Sequence, residues 1–140
     1  MNKELIEFVQ GSSRNKLVIS RQKMEGFEFI DIGKEFSIEL GSIPVQNGRF
    51  SLKAKDLLYS FIQRLETVSD IAGRYKALTN LGILLEPELR LNFLEFIQSV
   101  SQSYPLILHW DGLIEDDTLF FKTKPDGVKI SLKGINHLFV

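Results

Sequence analysis

No cysteine occurs in the sequence, which excludes disulfide frameworks, thiolate metal sites and cysteine nucleophiles. Histidine is scarce as well, and its two copies, at 109 and 137, stand too far apart in the chain to form a motif. Long apolar runs are missing. The strongest, Leu81 to Leu85 and Pro105 to Leu108, reach about five residues, against the roughly 20 that a membrane-spanning helix needs. Nor is there an excess of charge: 17 Lys and Arg against 18 Asp and Glu give a formal net charge of −1. No overall field therefore draws the chain to nucleic-acid phosphates or to an anionic membrane, and neither is an expected partner. Met1 to Glu7 carry acids early and include no apolar stretch of signal-peptide length, so the expected location is cytoplasmic.

What is present is an ordinary globular composition. The 140 residues are 44% hydrophobic and 25% charged, within reach of a single core. No repeat, low-complexity segment or linker divides them, so 1–140 reads as one domain. Leu5, Ile6, Phe8 and Val9, ahead of Gly11-Ser12-Ser13, predict a brief amphipathic helix. Lys16 to Ile19 predicts a strand and Phe27 to Ile32 a second. Ser20 to Gly26 is too short for a crossover helix, so these strands are antiparallel if adjacent and not immediate neighbours if parallel. Gly33 to Leu40 reads as a short helix that buries Phe36, Ile38 and Leu40 incompletely and stops at Gly41. After a turn region from Ile43 to Phe50 comes the clearest helix. Ser51 is its expected cap, and Ala54, Leu57, Leu58, Phe61, Ile62, Leu65 and Val68 recur at three- and four-residue intervals.

Ala77-Leu78 and Leu81 to Leu85 flank Thr79-Asn80, and the second run reads as a buried central strand or the segment just beyond one. Asn92-Phe93-Leu94-Glu95 has capping-box spacing and opens a helix to about Ser103, with Phe93, Leu94, Ile97 and Val100 as its buried stripe. Pro105 ends it. Leu106 to Trp110 supplies the next strand, broken by Asp111-Gly112. Thr118 to Thr123 and Val128 to Leu132 read as a hairpin around Lys124-Pro125-Asp126-Gly127, and Asn136 to Val140 as a last edge strand. The order predicts an α/β fold, a small sheet with packed helices and a C-terminal β-hairpin.

Two stretches carry a family resemblance that spans about half of the chain. Phe29 to Leu65 forms the first. The second is Leu78-Thr79-Asn80-Leu81-Gly82-Ile83-Leu84-Leu85-Glu86-Pro87-Glu88-Leu89, then Leu91-Asn92-Phe93-Leu94 and Leu106 to Gly112. Together they resemble the P-loop protein of BREX phage-defence systems, an ATPase-like family that closes this region with Trp-Asn-Gly where this chain has Trp110-Asp111-Gly112. The resemblance implies a shrunken P-loop-NTPase-like core. The departures are chemical. A phosphate loop needs Gly-x-x-x-x-Gly-Lys-Ser/Thr after the first strand. No two glycines here have that spacing, and Ser20 to Gly26 follows Ile19 in its place. Thr79-Asn80 stands where the family has an acidic residue for magnesium, and supplies no carboxylate. A catalytically empty relative without cofactor or metal is implied, a non-catalytic interaction or scaffold component of antiviral defence.

Other residues offer narrower readings. Glu115-Asp116-Asp117 with Asp111 reads either as a divalent-cation site or as a solvated loop between strands. His109-Trp110-Asp111 at a strand end allows a small-ligand-binding or enzymatic site over His109 to Asp117, or a structural His–Asp hydrogen bond, with no nucleophile assignable by spacing. Arg14, Lys16, Arg21 and Lys23 form the one local basic concentration. Trp110 reads as a core residue or a binding anchor. Phe120 and Phe121, adjacent in a strand, point to opposite faces, as do the residues around Phe139. Apolar side chains left on an uncovered edge predict self-association or a protein partner at Trp110, Phe120, Phe121 and Phe139.

Overall fold

Leu17 to Ser20 are buried at all four positions and make the first strand, β1. A strand without a wet face belongs inside a parallel sheet covered on both sides. The computed structural model, which describes residues 3–44, 49–121 and 128–140, places it there. The chain runs α1 (Lys3–Gln10), β1 (Leu17–Ser20), β2 (Ile30–Asp31), α2 (Ile32–Leu40), α3 (Phe50–Arg64), β3 (Thr67–Ser69) and β4 (Gly73–Thr79). Two short 3-10 helices, Leu81–Leu85 and Pro87–Leu89, lead to α4 (Phe93–Ser103) and β5 (Leu106–His109). Then come β6 (Leu113–Glu115), β7 (Thr118–Phe121), β8 (Val128–Ser131) and β9 (His137–Phe139).

The expected α/β class is found. Five parallel strands lie in the order β2-β4-β5-β1-β9, and β3 adds antiparallel to β4. β6, β7 and β8 form a second, antiparallel sheet, so the C-terminal hairpin has three strands. The alternation along β1 divides the core. Leu17 and Ile19 face α2, α3 and α4 together with Leu78, Leu106 and Leu108. Val18 faces the other way with Ala77 and Ile107, under Leu5 and Val9 of α1 and under Phe27. Leu119, Ile130 and Leu132 of the small sheet and its exit join the first of these clusters.

β2 runs parallel to β1 with β4 and β5 between them, the non-adjacent alternative of the sequence reading. Leu81–Leu85 lies just beyond a strand, and the strand itself is the longer β4. Several local expectations are corrected. α3 begins at Phe50 with Arg49 at its N-cap and no side-chain cap bond, so Ser51, already inside the first turn, does not cap it. Val68 belongs to β3 and is exposed. Ile38 is 70% exposed, because α2 turns Ile32 and Phe36 inward instead. In α4 the buried stripe takes Phe96 in place of Leu94, and the Asn92 side chain accepts from the Glu95 N–H at 3.0 Å, one half of the expected capping box, while the Glu95 carboxylate accepts from Lys55 Nζ at 3.1 Å. The expected turn at Lys124 to Gly127 lies outside the described residues, as do Asn47 and Gly48.

Candidate functional site at the carboxyl ends of the parallel strands

Parallel strands bring their carboxyl ends to one edge of a sheet, and ligands of open α/β sheets sit outside that edge where the strand order reverses. Here the edge presents Asp31 of β2, Thr79 and Asn80 at the end of β4, His109 and Trp110 at the end of β5, Ser20 and Arg21 at the end of β1, and Phe139 and Val140 at β9. The reversal is at β1, which is followed in sequence by β2 on one side of the sheet and flanked by β9 on the other.

At this point the backbone is already committed. The Ser20 carbonyl accepts from the Trp110 N–H at 2.8 Å, and the Arg21 N–H donates to Val140 O at 3.3 Å. The Ser20 hydroxyl donates to the Gln22 carbonyl. Between β1 and β2, all of it among the described residues, there is no helix. A phosphate-binding loop works by aiming backbone N–H groups and the positive end of a helix at the anion, and this segment offers no helix to do so. A cavity of about 740 Å³ lies against it instead, with Leu5, Met24 and Val140 among its lining residues.

On the other side of the edge three residues form a junction. Asp31 caps α2 by accepting from the Lys34 N–H at 2.9 Å, and the same Oδ1 accepts from Asn80 Nδ2 at 2.9 Å. These bonds favour the ionised carboxylate, the Asn80 bond most, and hold the Asp31 pKa below its ordinary value. Asn80 reaches it from a left-handed backbone, φ 59°. Gly33 makes the room, since a Cβ there would stand 2.3 Å from Asn80 Nδ2.

His109 bonds through Nδ1 to Thr79 Oγ1 at 2.7 Å, with Phe29 edge-on to its ring. That replaces the His109–Asp111 contact considered from spacing, because the neighbouring strand brings Thr79 alongside His109. Asp116 and Asp117 form the two-residue turn between β6 and β7, both at positive φ, the geometry of a type I′ hairpin. Asp117 Oδ1 contacts His137 Nε2 at 3.0 Å, while His137 Nδ1 lies 2.7 Å from the Ile135 carbonyl. No three acidic or histidine side chains converge as a metal site among the described residues.

The remaining sequence candidates are distributed. Trp110 is 4% exposed and Phe120 is buried, so neither forms part of the open surface of the folded chain. Phe121 is half-buried over Gly82 and beside Trp110. Phe139, 36% exposed, is the member of the set at the surface. Arg14 and Lys16 precede β1 whereas Arg21 and Lys23 follow it, so the basic residues sit at opposite ends of a strand. At roughly 3.3 Å per residue that separation exceeds a Debye length of about 8 Å in physiological salt. No helix among the described residues is long and apolar enough to cross a membrane. No family model, curated protein or solved structure matches this chain.

Proposed function

We propose that this chain acts by contacting protein, either a second copy or another component, as a P-loop-like scaffold without nucleotide chemistry. Its resemblance to a phage-defence family makes antiviral defence the proposed setting. The observation that carries the reading is the outer edge of β9. Among the described residues that strand ends the parallel sheet, pairing with β1 on one side only, and it leaves Phe139 36% exposed. An edge of free backbone groups with an apolar side chain is a template for strand addition, and such an edge in a monomer is a liability. The helix-free segment after β1 supports the negative half of the proposal.

Light scattering over a range of concentrations tests the contact, with Phe139→Asp as the comparison. Association that Phe139→Asp weakens about tenfold or more is the expected result, in line with loss of an aromatic anchor. A strictly monomeric chain that also retains no partner from its own cells overturns the reading. Calorimetry with magnesium and ATP is expected to show no binding, and micromolar affinity overturns the claim of an empty nucleotide site.

A further inference from the structure

Between the carboxyl ends of β4 and β5 lies a cavity of about 330 Å³ whose wall includes Asn80, Gly82, His109, Trp110, Asp111 and Phe121. The size is at the lower limit of small-molecule sites, about 300–1,000 Å³. Its wall holds hydrogen-bonding capacity that the fold does not use. The Trp110 indole N–H is buried and has no partner among the described residues. Buried donors in this state are rare and call for an acceptor. Gly112 lies against the indole, where a Cβ would stand 3.0 Å from Nε1 and 2.6 Å from the Phe120 carbonyl oxygen, and both Gly112 and Trp110 line the cavity. His109, fixed through Nδ1 by Thr79, retains Nε2. Asp111 adds an exposed carboxylate.

These groups select a ligand by chemistry. The indole N–H requires an acceptor. The Asp111 carboxylate requires a donor and repels an anion, while His109 Nε2 serves as either, according to its tautomer. Phe121 and Trp110, with ring centroids 6.4 Å apart, supply flat apolar surface. We propose that this cavity binds a small neutral ligand bearing a planar amide, its carbonyl accepting from Trp110 and its N–H donating to Asp111. The proposal is independent of the contact at β9, since either site can be present without the other.

Trp110 is the single tryptophan of the sequence, so its indole N–H gives one resonance in a ¹H–¹⁵N spectrum. Titrating the full chain with benzamide, benzoate and toluene separates the amide from its charge and its ring. Benzamide is expected to move the indole resonance saturably, while benzoate and toluene leave it in place. Asp111→Asn, a change at an exposed position, is expected to admit benzoate at an affinity within about tenfold of benzamide, because the like-charge contact is gone. An indole resonance that benzamide does not move overturns the proposal, including the case in which that proton cross-relaxes only with bound water. Equal responses to all three probes overturn it as well, as does an Asp111→Asn form that still excludes benzoate.

Discussion

Replacing Gly33 with alanine would put a methyl group 2.3 Å from Nδ2 of Asn80. In an unconstrained helix the same change gains about 1 kcal/mol. Here Gly33→Ala is expected to cost about 1–3 kcal/mol through overpacking, read from the midpoint of urea unfolding. Adding Asn80→Gly should recover only part of that loss: it removes the clashing amide and takes the left-handed backbone without strain, but it leaves the carbonyl oxygen of residue 80, which would lie 2.8 Å from the new methyl. Asp31 at the same junction provides a pH test. Its folded-state pKa is lowered, first by the Asn80 bond and then by the Lys34 N–H. The stability it contributes is therefore present above the unfolded aspartate value, near 3.9, and is lost as the pH falls through the folded value. Asp31→Asn keeps a competent helix cap and removes the charge. Unfolding at pH 7 and pH 3 should show a smaller acid loss in the variant than in the parent chain. The acid loss being equal would place the lowered pKa elsewhere.

Among the elements, β4 is tied to the end of α3 by a lysine. Lys76 is 3% exposed, its Nζ donates to the Leu65 carbonyl at the C-cap of α3, and it lies 4.6 Å from the centroid of the Tyr104 ring. A cation there meets the negative end of the helix. Burial is the first cause that lowers its pKa, with Arg74 adding to it and Glu66 opposing it. The unfolded chain thus holds the proton to higher pH, and stability rises as pH climbs from the folded value toward the ordinary lysine value. Lys76→Met should abolish that alkaline rise and cost about 1–3 kcal/mol at neutral pH by leaving the Leu65 carbonyl unsatisfied, both measured by chemical unfolding. The same lysine explains why β4 is hard to read in the sequence. Arg74 and Lys76 look like an exposed face, and the uncharged run Leu81 to Leu85 draws the strand assignment to itself. An apolar stem with a snorkelling head leaves no such signature. The Asn92 capping box is legible because it depends on residues three apart. The cluster of Asp31, Thr79, Asn80 and His109 depends on strand order, and nothing local to any of the four announces it.

At the scale of the whole molecule, the two sheets share one core. Leu119, fully buried in β7, belongs to the cluster that holds Leu17, Leu78 and Leu106 of the parallel sheet. Leu119→Ala is expected to cost about 2–5 kcal/mol and to lower one common transition. Far-ultraviolet circular dichroism and Trp110 fluorescence should coincide throughout that transition. A three-stranded sheet that melts ahead of the rest would separate the two probes. β1 stands among the first segments of the chain, yet its neighbours are β5 and β9, from its last third. On the ribosome, Leu17-Val18-Ile19 therefore emerges long before either flank exists. The side meant for β9 stays open until residues 137–139 have been released. During that interval β1 presents an open apolar edge, available to any other strand or chaperone that reaches it first.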